Sequence, residues 1–232
     1  MQRYFALEKR QNRFIVTKED EHHIINVMRF KVNDLVEIVY LNQLFEAKIT
    51  KEDPLTIDLI KEILINKNKN FYVRIIIPFL KEAKMDFILQ KATELGVDEI
   101  CLVEMDRSII KYDFTKLEKK LQRWFKICKE ASEQAKRITI PKVLKIEKQF
   151  HFEGLNLICE PTANETYNMY LKKLKQYDKI NLLIGPEGGF TKKELEYYIT
   201  KGFIPVKLID NIMRVETVPL FLLSIISYEK ME

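Results

Sequence analysis

Three of the chain's six glycines, Gly185, Gly188 and Gly189, fall within five residues. A chain this poor in glycine that gathers half of it in one place needs special backbone there. Glycine allows positive φ and lets another group approach the main chain closely. The run before the cluster, residues 180–184, is short and apolar, as a buried strand should be. After it, Thr191-Lys-Lys-Glu194 reads as a capping box, so a helix begins at once. Strand, glycine loop and helix together match a ligand loop at the carboxyl edge of an α/β sheet. A tight connection with no ligand is the plain alternative, because short βα loops are common.

Two familiar ligand loops are excluded. No Gly-Lys-Ser/Thr closes the stretch, so it is not a nucleotide P-loop, and it lacks the G-x-G-x-x-G of a dinucleotide site. Its acid, Glu187, suits hydroxyl or amino donors better than a pyrophosphate. The charge balance is mildly basic, 39 Lys and Arg against 34 Asp and Glu. That permits nucleic acid as a partner without requiring it. Three widely spaced cysteines, Cys101, Cys128 and Cys159, suggest neither a disulfide framework nor a metal site. No leader-like or membrane-length apolar run is present, so an intracellular, cytoplasmic protein with no membrane contact and no metal is expected.

Read from the start, residues 1 to about 65 form a small β-rich unit. Thr17 begins a helix with acids in its first turn. Ile24, Ile25 and Met28 give it one apolar stripe, flanked by His22, His23 and Arg29. Residues 35–40 and 44–50 read as a hairpin across 41–43, and 55–65 as a further strand. Arg3, Arg10, Arg13, Arg29 and Lys31 make this unit basic, either as a solvated surface or as an RNA-facing patch. Residues 65–70 are polar and unpatterned, a linker between domains at 1–68 and 71–232.

Beyond the linker, strands and helices alternate. Strands are expected at 71–79, 100–103, 155–159, 180–184 and 204–208. Helices are expected at 85–95, 116–135, 165–177, after Thr191, and from about Thr217. This predicts a mostly parallel sheet covered by helices on both faces. Before the last helix lies a second loop, 209–217, holding Arg214 and Glu216. An arginine fork there suits a phosphate or a base edge, and Glu216 suits ligand hydroxyls. A mutual ion pair between the two is the structural alternative. Two loops that each follow a strand and precede a helix can line one crevice.

The motifs Ile184-Gly-Pro-Glu-Gly-Gly-Phe190 and Asn211-Ile-Met-Arg-Val-Glu-Thr217 closely resemble those of the RsmE-type RNA methyltransferases of the SPOUT superfamily. His22-His23 through Met28-Arg29, Lys84-Met85, Gln90 through Gly96, Arg107-Ser108, Arg123-Trp124 and Glu130 through Gln134 extend the resemblance over nearly the whole chain. It implies an α/β fold: a C-terminal SPOUT trefoil-knot domain behind a small N-terminal PUA-like β-barrel. It also implies methylation of N3 of a uridine in 16S rRNA or the small ribosomal subunit, with S-adenosylmethionine as cofactor, by a homodimer.

On this resemblance the cofactor residues are Ile184, Gly185, Pro186, Glu187, Gly188, Leu208, Asn211, Ile212, Met213 and Thr217. Arg214 and Glu216 are the catalytic candidates. Arg3, Arg10, Arg13, His22, Arg29, Lys91 and Arg107 are the RNA-binding candidates. The chain departs from the family's usual residues at Ile209 (glycine), Met213 (leucine) and Val218 (alanine). Ile209 restricts the backbone where the cofactor is expected to pass. The rival readings are ribose 2′-O-methylation by another SPOUT enzyme and a non-catalytic RNA-binding module for ribosome assembly.

Overall fold

A computed structural model describes residues 1–65 and 71–230. The proposed linker at 65–70 falls almost wholly outside them. The chain divides into two compact units. The first is Met1–Asn68 with Ser132–Thr139, and the second is Lys69–Ala131 with Ile140–Glu232.

In the first unit the strands are β1 (Arg3–Phe5), β2 (Glu8–Arg10), β3 (Arg13–Ile15), β4 (Leu35–Tyr40), β5 (Gln43–Glu52) and β6 (Leu55–Ile63). They form one sheet in the order β1-β4-β5-β6-β3-β2, antiparallel except for β1 beside β4. Tyr4, Phe14, Ile24, Ile38, Phe45 and Ile57 are among the residues filling its core. The hairpin turn is two residues, not three: Tyr40 pairs with Gln43, leaving Leu41 and Asn42 at φ +49° and +61°. Two successive left-handed residues are the type I′ turn that matches strand twist. Leu is a poor residue for that conformation, so the sequence carried little sign of it.

Helix α1 (Lys18–His22) starts on a capping box in which Thr17 Oγ accepts from the Asp20 N–H at 3.1 Å. It passes into a π-helical turn, His23–Val27. There Met28 N–H donates to the His23 carbonyl five residues back, which turns Met28 off the expected stripe and into solvent. Ile24 alone of the stripe is fully buried.

Arg3 corrects an expectation. It is only 6% exposed. Its Nε donates to Glu37 at 2.9 Å, and its Nη1 donates to the carbonyls of Lys136 and Arg137. With its donors committed inside the unit, Arg3 has no surface to offer RNA.

The second unit holds β7 (Tyr72–Pro78), α2 (Glu82–Glu94), β8 (Glu99–Val103), α3 (Phe114–Gln134), whose last turn belongs to the first unit, β9 (Lys142–Lys145), β10 (Leu155–Cys159), α4 (Asn168–Leu174), β11 (Lys179–Ile184), α5 (Lys192–Thr200), β12 (Ile204–Val206) and α6 (Thr217–Glu229). The sheet runs β12-β10-β11-β7-β8-β9, and every pairing is parallel. Its inner strands are buried on both faces. Ile75 and Ile77 of β7 enter one core, while Ile76 enters the other. That explains apolar runs without alternation. The edges escaped such patterning. β9 is lysine-flanked and half exposed, and three-residue β12 carries Pro205, which an edge tolerates. No helix among the described residues is long and apolar enough to cross a membrane.

The amino edge of this sheet is closed by a buried polar network. Arg74 Nε donates to Glu99 at 2.7 Å and its Nη1 to Asn181 at 2.7 Å. Tyr72 donates to the other Glu99 oxygen at 2.6 Å, and the guanidinium stacks 3.7 Å from the centre of the Phe152 ring. Burial pushes the Glu99 carboxyl up, but the bonds from Arg74, Tyr72 and Cys101 outweigh it and hold the group below the usual range. The stabilisation from a lowered carboxyl is full above the unfolded value, about pH 4.3. It is lost as pH falls through the lower folded value.

Arg74→Met strands the Glu99 charge, so it should cost about 3–5 kcal/mol in urea denaturation at neutral pH. The gap to the parent should narrow below about pH 4, where Glu99 is protonated in the variant and in the unfolded chain. A gap unchanged down to pH 3 contradicts this account of Glu99.

Candidate functional site

Three parallel strands end at one level. Ile184 of β11 and Val206 of β12 both pair with Cys159 of β10, which lies between them. The loops that follow β11 and β12 therefore leave side by side, with Glu160 and Pro161 between them. They enclose a crevice of about 390 Å³, within the range of roughly 300–1,000 Å³ typical of small-molecule sites. Ile184, Val206, Leu208, Met213, Val215 and Val218 supply apolar lining. Lys84, Glu160, Glu187 and Arg214 supply charge.

The glycine loop is shaped by two local demands. Gly189, at φ +68°, turns the chain so that its N–H donates to the Pro186 carbonyl at 2.8 Å. Gly185 makes room for Phe190: a Cβ there would lie 2.9 Å from the buried phenyl ring. The α5 capping box then holds the exit. Thr191 Oγ accepts from the Glu194 N–H, and the Glu194 carboxylate accepts from the Thr191 N–H, both at 3.1 Å. Arg107 adds a brace by donating from Nη1 to the Gly188 carbonyl at 2.7 Å.

Lys84, from the first turn of α2, ties the two loops together. Its Nζ donates to Glu187 Oε1 at 3.0 Å and lies 3.0 Å from Glu216 Oε2. The second contact is ionic, without the alignment of a hydrogen bond. The hydrogen bond to Glu187, with the close contact to Glu216, raises the Lys84 pKa. Burial pushes the Glu216 carboxyl up, but its own backbone N–H, the Lys84 ammonium and the Arg214 charge outweigh it and hold it below the usual range. Glu216 is thus an anion at neutral pH and a weaker proton acceptor than an ordinary glutamate. Arg214 is exposed, and among the described residues its guanidinium takes no hydrogen-bond or ion-pair partner. The expected alternative of an Arg214–Glu216 pair is not what forms.

Of the residues expected at the cofactor, Ile184, Gly185, Pro186, Glu187, Leu208, Asn211, Ile212 and Met213 line the crevice. Gly188 and Thr217 do not: Gly188 faces Arg107, and Thr217 is the first residue of α6. Ile209 lines the crevice with φ outside the left-handed region, so it adds no backbone strain where glycine was usual. Lys84 and Phe190 were named from the sequence only within the family motifs, with no role of their own, and Glu160 was not named. Glu160 directly follows a strand, the position that marked the other two loops. Lys84 had no local signal, because its partners lie 103 and 132 residues away.

Among the RNA candidates, Arg10 pairs with Glu8 at 2.8 Å, Arg13 with Asp58 at 3.2 Å and Lys91 with Glu94 at 2.9 Å. His22 and Arg29 are exposed. It is His23, not His22, whose Nδ1 meets the Tyr4 hydroxyl at 3.0 Å. Among the described residues no group of three or more His, Cys, Asp or Glu is placed to hold a metal ion.

Comparison with known proteins is consistent across the chain. Residues 67–227 match the RNA methyltransferase domain family, and residues 16–62 match the RNA methyltransferase PUA domain family. Ribosomal RNA small subunit methyltransferase E of Bacillus subtilis (strain 168) is 32% identical, over 99% of this chain and 97% of its own. A putative methyltransferase from Legionella pneumophila, solved in complex with the bound cofactor SAM, superposes with a TM-score of 0.88 at 25% identity, over 97% of this chain and 96% of its own. Ribosomal RNA small subunit methyltransferase E from Neisseria gonorrhoeae, solved bound to S-adenosyl methionine, gives a TM-score of 0.84 at 26% identity, over 97% of this chain and 95% of its own.

The Gly185 geometry makes a stability prediction. Gly185→Ala should destabilise by about 1–3 kcal/mol through overpacking against Phe190. Phe190→Leu in that background should recover part of the loss. Denaturation of the two single variants and the double variant checks the coupling, and additive costs contradict it.

Proposed function

The chain belongs to the ribosomal RNA small subunit methyltransferase E family, and on that premise we propose that it methylates N3 of a uridine in 16S ribosomal RNA, with S-adenosylmethionine as cofactor. The observation that carries this reading is the crevice formed by two loops at one sheet edge. Its donors and acceptors fit that cofactor. Exposed loop peptides and an apolar floor suit an adenosine, and Glu160 and Glu187 suit a ligand with positive charge and hydroxyls. When bound, S-adenosylmethionine supplies an electrophilic methyl group carried on a cationic sulfur.

We assign Ile184, Gly185, Pro186, Glu187, Leu208, Asn211, Ile212 and Met213 to the cofactor, with Lys84 fixing the spacing of their loops. The uracil N3 must lose its proton before it attacks, which leaves negative charge on the flanking carbonyl oxygens. Arg214, exposed and without a partner, grips the base and stabilises that charge. Glu216, held ionised, orients the base and is not assigned as proton acceptor. Bringing the base into line supplies much of the remaining acceleration, and unstacking it is part of the cost.

Residues 1–68 act as the PUA-like RNA-holding domain, and residues 71–232 as the methyltransferase domain. Arg10, Arg13, His22 and Arg29 serve RNA in the first. Lys91 serves RNA in the second, as does Arg107, whose brace to Gly188 leaves other donors of the guanidinium for phosphate. The working enzyme is a homodimer in the cytoplasm, where ribosomal RNA is found. Exposed Ile212 (85%) and Tyr228 (70%) suit a face covered by a second copy.

Arg214→Ala should abolish methylation of 16S rRNA while calorimetric affinity for S-adenosylmethionine stays within a few-fold. Mass spectrometry of the RNA should place the methyl on the base of a uridine. Surviving activity in Arg214→Ala removes the residue from the reaction. A methyl on the ribose instead points to the rival SPOUT chemistry. No cofactor binding at millimolar concentration points to a non-catalytic RNA-binding module.

A further inference from the structure

We infer that Lys84 is a positioning residue that keeps Arg214 free for substrate by occupying Glu216 in its place. This rests on the proposed role of Arg214 in methyl transfer and deepens it.

Arg214 and Glu216 are two residues apart at the start of α6, with opposite charges. An arginine and a carboxylate this near the same crevice are able to pair, and a bidentate pair is the stronger kind of ionic hydrogen bond. They do not. Glu216 Oε2 lies 3.0 Å from Lys84 Nζ, and the Arg214 guanidinium has no partner among the described residues. Lys84 and Arg214 line the same crevice, and Arg214 shares its loop with Glu216. Arg214 is therefore the cation that inherits Glu216 when Lys84 is removed.

Lysine suits this task for reasons of shape. Its ammonium is compact and has three rotatable donors, so one group meets acids on two different loops. It is held from behind: the Lys84 N–H donates to the Lys81 carbonyl at 2.9 Å, and the neighbouring Met85 is fully buried in the core. Glu187 and Glu216 bring two negative charges, and Lys84 and Arg214 bring two positive ones. With Lys84 spanning both acids, the guanidinium is the unspent positive charge at the crevice. It then meets an anionic base without first breaking an internal pair.

The test compares the wild-type protein with Lys84→Met, Lys84→Gln, Lys84→Arg and Lys84→Met/Glu216→Gln. Hydrogen exchange of the Arg214 Nε–H is read by 15N NMR in the ligand-free protein, the signal being assigned by its loss in Arg214→Lys. Lys84→Met and Lys84→Gln should slow that exchange, as Glu216 captures the guanidinium. In both, kcat for RNA methylation should fall about tenfold. Lys84→Arg should keep exchange fast. The double variant should restore fast exchange and recover part of kcat, which a purely structural role for Lys84 does not predict. Unchanged exchange in both Lys84→Met and Lys84→Gln overturns the inference. Failure of the wild type to bind S-adenosylmethionine overturns the methyl-transfer reading instead, and leaves the exchange comparison standing.

Discussion

The parallel register of three adjacent strands governs everything at the crevice. β10 sits between β11 and β12, and Cys159 pairs with the last residue of each. Two loops separated in sequence by α5 and β12 thus emerge side by side. Because the inner strands are buried on both faces, a slip of one residue would exchange the sets that fill the two cores, such as Ile75 and Ile77 against Ile76. The register is fixed by packing, and the geometry of the site follows from it.

The two edges of this sheet treat charge in opposite ways. At the amino edge, Arg74 is consumed by Glu99 and Asn181, and the network is closed. At the carboxyl edge, Lys84 meets two acids, Arg107 braces a loop carbonyl, and Arg214 is left open. A closed network rigidifies a fold, whereas an open guanidinium beside an apolar crevice suits a ligand that develops negative charge. On the proposed reading, Arg74 is the structural arginine and Arg214 the functional one.

The parts of the fold that were legible in the sequence depend on local chemistry. The glycine cluster, the Thr191–Glu194 capping box and the apolar stripe of α2 each arise within a few residues. The whole-chain family likeness was carried by short motifs of the same kind. What escaped depends on distance or on weak patterning. Lys84 joins partners more than a hundred residues away, and Arg3 looked like surface charge until Glu37 and the 136–137 carbonyls closed around it. The Ser132–Thr139 segment packs with the first unit although it follows most of α3 in sequence, which no linker signal announces. Edge strand β9 lacks the buried run that marks β7, β10 and β11.

The central claim is that the peptide groups of the loops after β11 and β12 jointly enclose the methyl donor. A crystal structure of the protein soaked with S-adenosylmethionine tests it most directly. The account predicts the donor in the crevice, its adenosine over the apolar floor near Leu208 and Met213, with both loops in hydrogen-bonding contact. Density for the donor elsewhere, or contact with only one loop, contradicts it.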